Sequence, residues 1–466
     1  MELLIIKGCE RMNYMQFLNT KKIETIDTGF NPIDINPMLF DFQKDIVNWA
    51  CKKGRAAIFA DCGLGKTPMQ LEWARQIHVK TGENILILAP LAVSKQTQKE
   101  GFKFNIEVNI AAKQEEIKPG INITNYEKLH KFDLSKFIGI VLDESSILKS
   151  FSGKIRTQII DACKLIPYKL ACTATPAPND FMELGNHAEF LEAMDRSEML
   201  ATYFIHDGGE TAKWRLKGHA EVKFWEWISS WAAVIKSPSD LGYNNGKFKL
   251  PELNIIEKTV QNEEKYDTLI PLLAQTLEER RKARKSSMKN RIKLASDLVN
   301  KSDEQWLIWC DFNEESKNLT KGMNEAVEVT GSDTDEHKTN SMMGFTEGTI
   351  KALVTKPKIA GFGMNWQNCH NVIFCGLSDS YEQFYQAIRR CWRFGQTETV
   401  NVYVIIGAKE ITVINNIKRK EKDAEKMSLN MLKFTKEIIK KNIESTKRNT
   451  LEYKAEKEMM LPRWIA

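Results

Sequence analysis

Short apolar runs alternate along the chain with longer segments of helical periodicity. Asn84–Ala89 and residues 138–142 are continuous apolar runs, and residues 39–50 carry apolar side chains at every third or fourth position. Continuous runs of this length are typical of strands buried on both faces of a parallel sheet, whereas the second pattern is typical of a helix packed on one side. The alternation of the two predicts an α/β fold.

One stretch joins a predicted strand to a predicted helix through a glycine-rich turn. Residues 56–59 are β-prone, residues 60–67 read A-D-C-G-L-G-K-T, and residues 69–77 have the helical pattern. Such a turn directs successive backbone N–H groups at a phosphate, and the N-terminus of the following helix adds a favourable partial charge. The stretch therefore predicts a phosphate-binding loop.

Individual residues of this loop have separate expected functions. Gly63 and Gly65 allow the backbone to approach a phosphate without a Cβ clash. Lys66 can reach the β- and γ-phosphates of a nucleotide, and the Thr67 hydroxyl can ligate Mg²⁺. Ala60 stands where such loops usually have their first glycine, and we interpret it as a tolerated variant.

Polar residues follow several of the predicted strands. Residues 138–142 run into Asp143 and Glu144. In an enzyme with a phosphate-binding loop, the first carboxylate holds Mg²⁺ through its water shell, and the second orients and deprotonates the attacking water. An acidic loop at a strand end is common, but the distance from the phosphate loop fits two further βα units. Thr173 and Thr175 end another strand, where they either relay the state of the γ-phosphate or cap the strand end.

The second half of the chain repeats the strand and helix pattern. Strands are predicted at residues 306–310, 326–329, 350–354, 371–376 and 400–404. Arg390 and Arg393 lie between the last two strands, with a spacing that puts both on one helical face. Arginines presented together from a second lobe can stabilise charge on a transferring phosphoryl group.

Taken in order, these motifs resemble the superfamily-two helicase-like ATPases and, within them, the Swi/Snf branch. The matching segments are the glutamine motif at 39–43, the phosphate loop at 60–67, the strand at 85–90, I-T-N-Y at 123–126, D-E-S-S at 143–146, T-A-T-P-A-P-N at 173–179 and Q-A-I-R-R-C-W-R-F-G-Q at 386–396. The resemblance covers residues 37–408 apart from a segment between the lobes.

The resemblance implies an α/β fold of two tandem RecA-like parallel-sheet domains, with a helical insertion and a helical C-terminal tail. The expected divisions are an N-terminal extension at 1–36, a first lobe at 37–190, an insertion rich in Trp and Lys at 191–255, a second lobe at 256–410 and a charged tail at 411–466. Met1 and Met12 are both open as the start.

The resemblance also implies roles for individual residues. The expected catalytic residues are Lys66, Glu144, Arg390 and Arg393. The expected nucleotide-binding residues are Gln43, Gly63, Gly65, Lys66, Thr67 and Gly363, and the expected metal-binding residues are Thr67 and Asp143. Contacts to nucleic acid are expected at Thr124, Asn125, Lys149 and Asn365.

Three positions depart from the pattern of the Swi/Snf branch. Ser146 and Trp392 each replace a histidine, and Ala174 replaces a glycine between two threonines. None of these changes removes a group that hydrolysis needs. The coupling of Ser146 to the other lobe is left open.

Composition limits how much of the protein surface could bind nucleic acid. The chain has 466 residues, 42% of them hydrophobic and 27% charged, as in ordinary soluble globular proteins, and its net charge is only +6. A nucleic-acid surface must therefore be a local patch. The basic run at 280–285 and the Trp- and Lys-rich segment at 213–231 are candidates, against the alternatives of a solvated helix face and a tryptophan core.

We expect a monomeric enzyme that uses ATP and Mg²⁺ and acts in the cytoplasm of a bacterial or phage-infected cell. The favoured function is a nucleic-acid-dependent ATPase that translocates on double-stranded DNA in replication, repair or recombination. The alternatives are a strand-separating DNA or RNA helicase, and an ATP-gated clamp or adaptor that recruits a nuclease or a replication partner. Apolar runs such as residues 85–93 are too short to span a bilayer.

Overall fold

The computed structural model describes residues 27–90, 93–149, 153–206, 214–261, 277–360 and 364–444. These residues form two lobes, each built on a parallel β-sheet, and a small antiparallel pair of strands. The fold class predicted from the sequence is thereby confirmed.

The first lobe contains a seven-stranded sheet in the order β3-β4-β2-β5-β6-β1-β9, in which every neighbouring pair is parallel. Its strands are β1 (Arg55–Ala60), β2 (Asn84–Ala89), β3 (Val108–Ile110), β4 (Ile121–Asn125), β5 (Phe137–Asp143), β6 (Tyr168–Thr173) and β9 (Ala232–Ile235). The helices in the same part of the chain are α1 (Asp41–Lys53), α2 (Lys66–Thr81), α3 (Ser94–Lys103), α4 (Lys154–Ala162), α5 (Leu184–Phe190), α6 (Arg196–Tyr203) and α7 (Glu221–Trp231). Strands β7 (Phe204–His206) and β8 (Trp214–Leu216) form the antiparallel pair.

The second lobe contains a six-stranded parallel sheet in the order β10-β15-β14-β11-β13-β12. Its strands are β10 (Leu253–Val260), β11 (Trp306–Cys310), β12 (Ala326–Glu328), β13 (Ala352–Thr355), β14 (Asn371–Cys375) and β15 (Val400–Gly407). The helices are α8 (Leu277–Ser286), α9 (Met288–Asn300), α10 (Asn313–Gly322), α11 (Asp335–Thr346), α12 (Pro357–Ala360), α13 (Tyr381–Ile388) and α14 (Ile411–Glu444).

Short 3₁₀ turns connect many of these elements. They span Gln114–Glu116, Tyr126–Lys131, Leu134–Lys136, Ser145–Lys149, Phe181–Glu183, Gly218–Ala220, Pro238–Leu241, Gly246–Phe248 and Ala408–Glu410.

The central strands are largely apolar because both faces of each sheet are covered. In β1, Ala57 and Phe59 belong to one hydrophobic cluster, and Ala56 and Ile58 belong to the cluster on the opposite face. In a strand, successive side chains point to opposite faces, so a strand with two buried faces needs an unbroken apolar run. This is the pattern from which the central strands were predicted.

The range predicted as an insertion, residues 191–255, contributes to the first sheet. Strand β9 pairs with β1, and Trp225, Trp227 and Trp231 of α7 are buried in a core cluster of the first lobe. These tryptophans are core residues, which is the alternative to a nucleic-acid surface that the sequence offered. The predicted domain boundaries as a whole stay predictions.

The C-terminal helix α14 contacts both lobes. Val413 and Ile417, near its start, belong to a core cluster of the second lobe. Met427 and Met431, further along the same helix, belong to a core cluster of the first lobe and are almost fully buried. The sequence predicted a helical tail here without its contacts to the first lobe. Within the described residues, no helix is long and apolar enough to cross a membrane.

Candidate active site

A cavity of about 370 Å³ lies between the two lobes. The first lobe contributes Gln43, Gly63, Gly65, Lys66, Thr67, Asp143 and Glu144 to its wall, and the second lobe contributes Asn365, Arg389, Arg390, Arg393 and Phe394. The predicted phosphate loop, the paired carboxylates and the two predicted arginines therefore line one space.

Strand order explains how the first-lobe residues meet. Strands β5, β6 and β1 are neighbours in the sheet. Because parallel strands end at the same edge, the phosphate loop after β1, Thr173 at the end of β6 and Asp143 at the end of β5 lie side by side. Ligands of open α/β sheets bind at this carboxyl edge.

The phosphate loop has the backbone conformation that its glycines predict. Gly63 has a φ of 87° and Gly65 a φ of 79°, both in the region that side chains disfavour. Helix α2 begins directly after Gly65. The Lys66 ammonium donates to the carbonyl oxygen of Ala60 at 2.9 Å and to that of Asp61 at 3.4 Å, so it lies over the loop.

Gln43 contacts the phosphate loop directly. Its Nε2 donates to the carbonyl of Leu64 at 2.9 Å, and its Oε1 accepts from the backbone N–H of Phe40 at 3.0 Å. A Cβ on Gly65 would lie 2.3 Å from Nε2. The glutamine amide therefore fixes the loop as well as lining the cavity.

Asp143 is buried and Glu144 is half-buried, and both carboxylates have defined partners. Gln70 donates to Oδ1 of Asp143 at 2.7 Å, and the Thr173 hydroxyl donates to Oε2 of Glu144 at 3.3 Å. Burial raises the pKa of both carboxyl groups, and the charge of Lys66 opposes this shift in both. A carboxylate whose pKa is raised is a stronger proton acceptor than an exposed one.

Arg390 and Arg393 lie together in the wall from the second lobe. Both donate to the carbonyl oxygen of Met364, at 3.2 Å and 3.3 Å respectively. Burial lowers the pKa of both groups, and burial together with the neighbouring Arg390 charge lowers the pKa of Arg393 to about 10. Two neighbouring cations with lowered pKa values favour an anion in the adjoining space.

Two residues that the sequence did not single out join the lobes beside this cavity. Arg389 forms an ion pair with Asp61 of the phosphate loop, and the hydroxyl of Tyr385 donates to the same carboxylate. Asp61 and Arg389 are 328 positions apart in the sequence, which excludes any local signal for this pairing. The only hint was a third arginine beside the predicted pair.

Comparison with known families identifies the second lobe. The model of the helicase conserved C-terminal domain matches residues 290–395. The predicted resemblance to helicase-like ATPases is thereby confirmed.

Among solved structures, the Sulfolobus solfataricus SWI2/SNF2 ATPase core in complex with dsDNA is similar to this chain. The two share 18% sequence identity with a TM-score of 0.41, over 84% of this chain and 96% of that one. No curated protein sequence matches the chain.

The residues predicted to contact nucleic acid lie in different surroundings. Thr124 and Asn125 are buried, and the side chain of Asn125 accepts from the backbone N–H of Lys128 at 3.1 Å. Lys149 pairs with Glu382 of the helicase C-terminal domain. Asn365 lines the cavity. Their roles stay predictions, and the predicted nucleotide-binding residue Gly363 lies outside the described residues.

Part of the basic run at 280–285 is engaged in ion pairs. Arg280 pairs with Asp379, and the buried Arg284 pairs with Asp311 and Glu410. The other cations of the run, Arg281, Lys282 and Lys285, are exposed.

Ser145 and Ser146 are both buried after β5. The hydroxyl of Ser145 lies 3.1 Å from Nε2 of His187, whose pKa burial lowers to about 4. This histidine is therefore neutral near pH 7, and it is a buried partner of the acidic motif that the sequence did not reveal.

The donor set at the cavity fits a magnesium ion that is shared with a nucleotide. The Thr67 hydroxyl and the Asp143 carboxylate are hard oxygen ligands, which Mg²⁺ prefers, and Mg²⁺ is usually bound by one or two protein oxygens plus substrate phosphates. No cluster of three or more His, Cys, Asp or Glu side chains within the described ranges could hold a metal by itself.

Proposed function

We propose that this helicase-like ATPase is a nucleic-acid-dependent motor of the Swi/Snf type that moves along double-stranded DNA. One observation carries the proposal. A single cavity is lined by Lys66, Asp143 and Glu144 from one lobe and by Arg390 and Arg393 from the other. Groups that bind phosphate, accept a proton and neutralise developing charge are the requirements for phosphoryl transfer to water.

In this proposal each first-lobe residue has a separate task. Lys66 leaves the Ala60 and Asp61 carbonyls to bind the nucleotide phosphates, and Gln43 contacts the base while it fixes the loop. Thr67 and Asp143 would hold a magnesium ion, which would neutralise charge on the phosphates. Glu144, whose pKa burial raises, orients the attacking water and takes its proton.

The second lobe completes the site. Arg390 and Arg393 face the cavity and stabilise charge on the γ-phosphoryl group, as arginine fingers do. Because these groups come from two lobes, hydrolysis depends on the distance between them. If both lobes bind one duplex, each cycle of closure and opening advances the protein along it.

The choice of double-stranded DNA rests on the motif order and on the T-A-T-P-A-P-N sequence at 173–179, which resembles the Swi/Snf branch. The test is the steady-state ATPase rate with duplex DNA, single-stranded DNA or RNA at several salt concentrations. We expect duplex DNA to stimulate most, with a stimulation that falls as salt rises. Lys66→Ala is the control that must abolish the activity.

The alternatives predict different results. A strand-separating helicase displaces one strand of a duplex, whereas a translocase displaces a triplex-forming strand without unwinding the duplex beneath it. Unwinding without triplex displacement would contradict the proposal. An ATPase that responds to no nucleic acid, together with full biological activity of Lys66→Ala and Glu144→Gln, would favour the adaptor.

A further inference from the structure

The Asp61 carboxylate, inside the phosphate loop, is fully engaged. Its Oδ1 accepts from the backbone N–H of Cys62 at 2.6 Å and from the hydroxyl of Tyr385, and its Oδ2 accepts from the guanidinium of Arg389. One bond thus lies within the loop and two reach the other lobe. The conformation of the loop is therefore tied to the position of the second lobe.

Arg389 is held between two aromatic rings. Its guanidinium carbon lies 5.3 Å from the ring centre of Tyr385 and 4.4 Å from that of Trp392. Both distances are within the range of attractive cation–π contacts. The Arg389 side chain is 6% exposed and that of Asp61 is 14% exposed, so water screens the pair little.

Trp392 extends the contact to the segment between the lobes. Its Nε1 donates to the carbonyl oxygen of Pro251 at 2.8 Å, two residues before β10 begins. A Cβ on Gly63 would lie 2.9 Å from the backbone nitrogen of Phe394. The phosphate loop therefore directly contacts the turn that carries Arg390 and Arg393. Trp392 is one of the residues that depart from the Swi/Snf pattern.

We propose that Asp61, Arg389 and Tyr385 form an inter-lobe latch that positions Arg390 and Arg393 against the phosphate loop. The latch rests on the proposed ATPase function. Arg389 is a positioning residue, because its guanidinium binds the Asp61 carboxylate and acts on the reaction only through the two neighbouring arginines.

Electrostatics explains why the latch forms. Arg389 and Arg390 are buried and Arg393 is half-buried in the same turn, and burying a charge without a counter-charge is unfavourable. Asp61 supplies that counter-charge to Arg389 from the opposite lobe. Burial raises the pKa of Tyr385, so its hydroxyl keeps its proton and stays a donor to Asp61.

The first test is a double-mutant cycle on ATP hydrolysis with Asp61→Asn, Arg389→Gln and the combination. The asparagine keeps an oxygen acceptor for the Cys62 N–H and removes the charge. We expect each single variant to lower kcat by about 10-fold to 100-fold. Because residues in direct contact have strongly non-additive effects, the double variant should be no worse than the worse single variant. KM for ATP should stay nearly unchanged, because the first lobe provides the ground-state phosphate contacts.

Two further variants separate positioning from mere folding. Tyr385→Phe removes one bond to Asp61 and keeps the ring under Arg389, so it should lower kcat less than Arg389→Gln. Arg389→Lys keeps the charge and should recover part of the lost kcat. The matched control is Arg419→Gln, which breaks an exposed ion pair with Asp423 on α14 and should leave kcat unchanged.

The second test does not need activity. Small-angle X-ray scattering of the full chain measures lobe separation, and Arg389→Gln should increase the radius of gyration while Arg419→Gln does not. If the wild type hydrolyses no ATP with any nucleic acid, the proposed function fails, and the scattering result still decides the latch. Any of three results would overturn the latch. These are an unchanged radius of gyration together with an unchanged kcat, additive effects in the double-mutant cycle, and a rise in KM that accounts for the whole loss of activity.

Discussion

A methyl group added to Gly65 tests whether the contact of Gln43 with the phosphate loop controls nucleotide binding. Gly65 is the residue before α2, with a φ of 79°. Gly82 follows the other end of the same helix with a φ of 74°, and a Cβ there meets nothing within 4 Å. The two glycines therefore share their backbone strain and differ in their surroundings, which makes Gly82→Ala the matched control for Gly65→Ala.

The expected magnitudes follow from these two environments. A left-handed conformation costs a non-glycine residue about 1–2 kcal/mol, so both variants should lose this much stability. In Gly65→Ala the new Cβ also lies 2.3 Å from Nε2 of Gln43, so the amide must move and give up its 2.9 Å bond to the Leu64 carbonyl. A hydrogen bond contributes about 0.5–1.5 kcal/mol, which corresponds to roughly 2-fold to 10-fold in an equilibrium constant.

Thermal unfolding and ATP titration separate the two effects. Both variants should unfold about 2–8 °C below the wild type, at about 2–4 °C per kcal/mol for a domain of this size. Only Gly65→Ala should bind ATP several-fold more weakly. Equal ATP affinity in the two variants would refute the reasoning, because the Gln43 contact would then have no part in forming the site.

Three further outcomes are expected. Lys66→Ala should abolish ATP-dependent activity, measured as phosphate release, while its unfolding temperature changes little, because the Lys66 side chain bonds only carbonyls of its own loop. Burial raises the pKa of Glu144 above its ordinary value of 4.5, so the folded state favours the protonated form, and the ionised form costs stability at higher pH. Glu144→Gln should therefore hydrolyse ATP about 100-fold or more slowly than the wild type. At pH 8 it should also unfold at a higher temperature than the wild type, and this difference should shrink as pH falls through the raised pKa. A difference in unfolding temperature that is independent of pH would contradict this. Met431→Ala should weaken the docking of α14 on the first lobe by about 2–5 kcal/mol, seen as faster amide exchange there, whereas Leu429→Ala, at a side chain 65% exposed, should not.

Interior strands were predicted more completely than edge strands, although the edge strand β12 was also predicted. Strands β2, β5 and β14 are central, and their apolar runs predicted them directly. Strands β9 and β10 are edge strands and were not predicted. An edge strand has fewer neighbours to cover it, so β10 mixes half-buried and exposed residues irregularly and carries no clear period.

The residues of the candidate site also differ in how far the sequence alone revealed them. Lys66, Thr67, Asp143 and Glu144 were found because each belongs to a short motif whose geometry is local to one strand end. The contact of Gln43 with the phosphate loop is not local, because its bond to Leu64 joins residues 21 positions apart. Lys149 was named for nucleic acid, yet its partner Glu382 lies 233 residues away on the other lobe.

The sequence by itself determined the two-lobed parallel fold, the phosphate loop and the identity of the groups that can act on a nucleotide. It could do so because strand burial, glycine conformation and motif spacing are set within a few consecutive residues. Tertiary structure alone decided that Asp61 meets Arg389, that α14 touches both lobes and that three arginines share one cavity wall. These pairings depend on how two separately folded sheets come together, and no local pattern of side chains encodes that distance.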